Sequence, residues 1–64
     1  MIRATLYMEV EPSVLEQLMA RTIIRRAFEI EAEQHGYMLD GEMLEEEGTR
    51  PGFRLLAHAV KDRS

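Results

Sequence analysis

The stretch Ser13–Gly36, SVLEQLMARTIIRRAFEIEAEQHG, decides the fold. From Val14 onward it holds no Gly or Pro until Gly36, and Ser13 with Glu16 has capping-box spacing, in which each side chain satisfies a free N–H of the first helical turn. Gly36 suits the left-handed residue that closes helices, because it has no Cβ. The spacing predicts one helix of about 22 residues, roughly 33 Å long. Met19, Ala20, Ile23, Ala27 and Ile30 form a continuous stripe along it. Ile24 and Phe28 widen the stripe on one side, and Val14, Leu15 and Leu18 lie toward the other near the start. So broad an apolar surface exceeds what a small sheet covers, which implies a second partner, most simply another copy of the helix.

Upstream, IRATLYMEVE alternates Ile2, Ala4, Leu6, Met8 and Val10 with Arg3, Thr5, Tyr7, Glu9 and Glu11, the period of a strand with one buried face, and it stops at Pro12. Downstream, Glu42–Glu47 reads as a strand, preceded by an extended Tyr37–Leu39 with Asp40 and Gly41 as a turn or bulge. GTRPG, 48–52, reads as a loop. Phe53–Val60 is a strand with apolar residues on both faces, as expected of a central strand or of one whose second face meets a partner. Residues 61–64 read as a frayed tail of a single domain, 1–64. The order β-α-β-β predicts an α+β fold: one long helix on a three-stranded antiparallel or mixed sheet, with a right-handed crossover after the first strand, a terminal hairpin, and completion by oligomerisation.

With 64 residues the chain hides only about 60% of its unfolded surface on folding, so something has to supplement the core. There is no Cys, which removes disulfides, thiolate chemistry and the usual structural zinc ligands. At 45% hydrophobic and 31% charged residues the composition is globular. No apolar run approaches the roughly 18 residues of a spanning helix, and Met1 leads directly into a strand pattern, so the expectation is a cytoplasmic protein without a membrane partner.

The net charge of −4 is unevenly placed. Residues 29–47 contain eight acids and no Lys or Arg, while the other 45 residues carry a net +4. Glu42, Glu45, Glu46 and Glu47 are the candidate acidic surface for a basic protein partner; the alternative reading of the same acids is a solvated edge that discourages strand pairing. Arg21, Arg25 and Arg26 lie away from the Met19/Ile23/Ile30 stripe. Of Arg21, Arg25, Glu29 and Glu33, only Arg25 and Glu29 form an oppositely charged i,i+4 pair, the pattern of ordinary helix solvation. The alternative, a small DNA-binding regulator, uses those three arginines against phosphates and base edges. It lacks a helix-turn-helix partner or stacking aromatics, and Glu29, Glu31 and Glu33 ride on the same helix, so nucleic acid is a disfavoured partner.

Catalytic residues are not expected. His35 beside the helix end suits interaction with the last carbonyls. His58 shares a strand face with Leu56 and Val60, and these three residues, with Ile24 and Phe28, form the candidate oligomer interface. A third reading encloses a small molecule between subunits around His58 and Tyr7. The four glycines have no phosphate-loop spacing, and only Glu45 and Glu47 of the Glu45–Glu47 run share a strand face, so no metal or cofactor is expected. The element order resembles that of the dodecin family of small flavin-binding oligomers, and half of a ferredoxin-like fold. The tryptophan that stacks on flavin in dodecins has no counterpart in this Trp-free chain, so flavin binding is not carried over. The expectation is a non-enzymatic interaction or structural protein, a homodimer or larger homo-oligomer, binding or inhibiting another macromolecule through its acidic surface.

Overall fold

The computed structural model describes residues 1–47 and 53–62; the GTRPG loop and the last two residues of the expected tail lie outside them. The chain has an α+β fold with a helix packed on a multi-stranded sheet. Its elements are β1 (Ile2–Val10), α1 (Pro12–Leu15), α2 (Ala20–Gln34), β2 (Met38–Leu39), β3 (Leu44–Glu47) and β4 (Phe53–Lys61). β4 is central: β1 pairs with it from Ile2↔Lys61 to Val10↔Phe53, while β2 and β3 lie end to end along its other side. All three pairings among the described residues are antiparallel, so β1 has no parallel neighbour among them and the expected crossover is replaced by β1 meeting β4.

Among the described residues the sheet therefore has four strands rather than the expected three. The cut falls where residues 40–43 stand opposite only Ala57 and His58. Gly41 takes φ +85°, and the Asp40 N–H donates to the His58 carbonyl at 2.8 Å, which keeps the strand attached to β4 across the bulge.

The expected single helix is also divided. Met19 adopts φ 66°, ψ 7° and breaks it into the four-residue α1 and the fifteen-residue α2. Leu15 and Ile24, nine residues apart, would stand on opposite sides of a continuous helix, about 180° from each other. The break lets Val14 and Leu15 pack against the same cluster as Ile24. Ser13 is not the N-cap: Glu11 takes that position, Pro12 occupies the first turn with its preset φ, and no side-chain cap forms.

The helix is rotated relative to the expected stripe. Ala20, Ile24, Phe28 and Ala32, an i,i+4 row, face the sheet. Ile24 and Phe28 (7% and 3% exposed) join Val10, Leu55 and Ala57 in the core, with Leu6, Met8, Val14, Leu15, Leu39 and Met43 partly buried around them. Centring the helix on Ile23, Ala27 and Ile30 instead would swing Phe28, its largest apolar side chain, roughly 130° from the sheet.

At its end α2 closes in a Schellman motif: the Tyr37 N–H donates to Ala32 O (2.8 Å) and the Gly36 N–H to Glu33 O (3.0 Å), with Gly36 at φ +77°. Lys61, the last residue of β4, donates to His35 O at 3.4 Å and lies 5.7 Å from the centre of the Tyr37 ring. The expected tail therefore begins inside a strand whose last residue supports the helix end.

These two left-handed positions make opposite predictions. A left-handed L-residue costs about 1–2 kcal/mol and a glycine about 0.5–1 kcal/mol of extra chain entropy. Met19→Gly, at an exposed position, is expected to raise stability by up to about 1 kcal/mol in urea unfolding, and Gly36→Ala to lower it by about 1 kcal/mol. A lower urea midpoint for Met19→Gly would contradict the strained junction.

Candidate interaction surface

Antiparallel register sorts the sheet into two faces, since directly paired residues share a face. On the face turned from the helix, Glu9, Arg54 and Glu46 form one row, Tyr7, Leu56 and Leu44 the next, then Thr5 and His58, then Arg3, Val60 and Met38. Arg54 is the hub of its row, 3.7 Å from Glu9, 3.3 Å from Glu46 and 5.6 Å from the centre of the Tyr7 ring. Leu56 is buried between its cross-strand neighbours, Val60 is half-buried, and His58 is exposed with its Nδ1 sharing a 3.2 Å hydrogen bond with Thr5 Oγ1. Of the residues assigned to an oligomer interface, Ile24, Phe28 and Leu56 are thus buried within one chain. His58 and Val60 lie on a face that mixes polar and apolar groups.

The helix has two unlike flanks. On one, Arg21 pairs with Glu45 of β3, and Arg25 donates to Gly41 O at 3.2 Å while lying 3.6 Å from Glu29. Arg26, farther round toward solvent, reaches Glu29 (3.3 Å) and Glu33 (3.8 Å). This charged flank ties α2 to the β2/β3 side of the sheet, and the three arginines offered to nucleic acid each have a carboxylate partner in the same chain. Of the acidic surface, Glu45 and Glu46 are held by Arg21 and Arg54, Glu42 has no ion-pair partner among the described residues, and Glu47 ends β3. His35 reaches Glu31 at 3.3 Å, while the terminal carbonyl is met by Lys61.

The opposite flank is apolar and uncovered. Ile23 and Ile30 are 66% and 43% exposed, Ala27 is exposed between them, and Leu18 and Met19, just before the helix, are exposed as well, Leu18 at 93%. Because the charged flank faces β2 and β3, this one faces the β1 side. There Ile2 is exposed and Ala4, Leu6 and Met8 are only half-buried. Ile23, Ala27 and Ile30 are neighbours on one helix flank, whereas singly scattered exposed apolar residues are ordinary.

A half-open cleft of about 200 Å³ lies on the charged flank, lined by Arg25, Glu29, Glu33, Tyr37, Met38 and Leu39. It is smaller than the roughly 300–1,000 Å³ of ligand sites, and it includes neither His58 nor Tyr7. Among the described residues no three His, Asp or Glu side chains converge as a metal site, and no helix is long and apolar enough to cross a membrane. Comparison of the chain with protein-family models, curated proteins and solved structures found no match.

The roles of Arg54 and of Lys61 were not anticipated from the sequence. Each depends on a partner distant in the chain, and only the β1–β4 register and the return of β4 to the helix end bring those partners close. Arg54→Met, which keeps most of the stem, is expected to cost about 1 kcal/mol at low ionic strength, with the loss shrinking in 1 M salt. Urea unfolding at both salt concentrations checks this; a cost independent of salt would assign Arg54 to packing alone.

Proposed function

We propose that this chain is a non-enzymatic interaction or structural protein that works as a homo-oligomer. The observation that carries the reading is the uncovered row Ile23, Ala27 and Ile30, with Leu18 and Met19 also exposed just before the helix, beside the half-open inner face of β1. A chain this small gains stability chiefly by burying more apolar surface, and a second copy supplies an equally apolar surface without any other component. The fold's lack of obvious catalytic machinery among its described residues accords with a role exercised through surfaces.

A further macromolecule would meet the acidic side of the sheet. Asp40 and Glu42 at the bulge have no ion-pair partners among the described residues, whereas Glu45 and Glu46 already neutralise Arg21 and Arg54. A basic protein surface is the fitting partner there, and the oligomer would present the acidic patch more than once, gaining from multivalency. The DNA-binding alternative would require the helix arginines to give up Glu45, Glu29 and Glu33 for phosphates. The small-molecule alternative would draw on His58 and Tyr7, which stand on an open sheet face.

Sedimentation equilibrium or light scattering over a dilution series tests the main reading. The expected result is a discrete oligomer at about 100 µM that Ile23→Glu converts to a monomer with unchanged far-UV circular dichroism, because a charge placed in an apolar interface loses its hydration. Ile24→Glu, in the core, is expected to unfold the chain instead. A wild-type monomer throughout the series would overturn the reading.

A further inference from the structure

The two edges of the sheet are built differently. On the β2/β3 side the edge is cut at residues 40–43, carries Asp40, Glu42, Glu45, Glu46 and Glu47, and would repel a copy of itself. Interruption and like charge are the ordinary protections of an exposed edge. β1 has neither. It runs nine residues, about 30 Å, without proline or bulge, and no described strand pairs with its outer side.

The sequence of β1 is self-complementary when read against itself. A two-fold antiparallel pairing centred on Leu6 places Ile2 opposite the partner's Val10, Arg3 opposite the partner's Glu9, Ala4 opposite the partner's Met8 and Thr5 opposite the partner's Tyr7. All nine residues are paired, and each residue keeps to its own face of the sheet. Shifting by one residue puts inward side chains opposite outward ones; moving the centre to Thr5 sets Arg3 opposite the partner's Tyr7, and moving it to Tyr7 sets Arg3 opposite the partner's Glu11, outside β1, and leaves Ile2 and Arg3 beyond the paired strand. Arg3 has no carboxylate within 4.0 Å among the described residues, and the side chain of Glu9 is 81% exposed despite its 3.7 Å approach to Arg54.

We propose that β1 pairs with β1 of a second copy in this register, joining two four-stranded sheets into one continuous sheet with an Arg3–Glu9 ion pair on each side of the two-fold axis. The inference rests on the homo-oligomer reading and specifies its interface. A two-fold axis perpendicular to the sheet keeps both helices on one side, so the uncovered flanks of Ile23, Ala27 and Ile30 approach each other above the joined β1 strands, over Leu6, Ala4 and Met8. The edge supplies backbone hydrogen bonds, the helix flanks supply apolar burial, and the terminal charges select the register.

Charge reversal tests the register on full-length protein. Arg3→Glu and Glu9→Lys each set like charges opposite one another at two symmetry-related places, and each is expected to weaken the dimer about tenfold in sedimentation equilibrium at low salt. The double variant restores both pairs with exchanged signs, and its dissociation constant should return to within about threefold of wild type. Because the chain has no Cys, Leu6→Cys provides a single thiol that meets its symmetry mate, and mild oxidation should give a disulfide-linked dimer. An oligomer that persists with wild-type affinity in Arg3→Glu, and in which Leu6→Cys does not cross-link, overturns the β1 interface while leaving self-association standing. A wild-type monomer at all concentrations overturns both.

Discussion

The side chains of Ile24 and Phe28 join Leu55 and Ala57 of the central strand in one core cluster, and this packing sets the rotation of α2. Once that row faces the sheet, helical geometry fixes the rest. Arg21 and Arg25 fall about 40–80° to one side, where Glu45 and the Gly41 carbonyl receive them, and Ile23, Ala27 and Ile30 fall on the other. Alanines at 57 and 59 on β4, and at 20 and 32 on α2, leave room for the two large helix side chains between them. Val14 and Leu15 complete the arrangement only because the backbone at Met19 turns left-handed, so a strained residue lies between the two helical segments that share one core.

The strands were legible where a period of two runs uninterrupted. The alternation of residues 2–11 marks β1, which ends one residue earlier at Val10, and apolar residues on both faces mark β4, because alternation is a local consequence of pleating. The left-handed glycine at 36 was legible for the same local reason. The helix was misread at both levels that depend on tertiary packing. No Gly or Pro marks the break at Met19, and the apolar residues span so much of the circumference that periodicity alone does not say which row faces inward. Deciding between Ile23/Ala27/Ile30 and Ala20/Ile24/Phe28/Ala32 requires knowing where Glu45 will stand. The expected interface was therefore placed partly on Ile24 and Phe28, which are core, although the surplus of apolar surface that suggested a partner is present on the neighbouring row.

Charge segregation in the sequence also changes meaning in three dimensions. The acidic run from Glu29 to Glu47 reads as a field directed outward. In the fold Glu29 and Glu33 meet Arg26, Glu45 meets Arg21 and Glu46 meets Arg54. These pairs are partly exposed and individually weak, and of them only Arg21–Glu45 joins the helix to the β2/β3 side, where the Arg25 hydrogen bond to Gly41 O supplements it. The arginines and acids are thus more informative about which edge is closed than about which ligand is bound.

The asymmetry has a simple physical origin. A single fifteen-residue helix does not cover both halves of this sheet, and it leans on the half to which its charged flank is tied. The cost falls on β1, whose inward residues Ala4, Leu6 and Met8 remain half-exposed beside an apolar helix flank and whose outer backbone edge remains unpaired by any described strand. Those needs differ in kind, one for apolar contact and one for backbone hydrogen bonds, and a partner that met only one would leave the other exposed to water. A second copy of the chain brings an edge of the same length and a flank of the same composition, related to the first by the symmetry that the sequence of β1 already contains about Leu6.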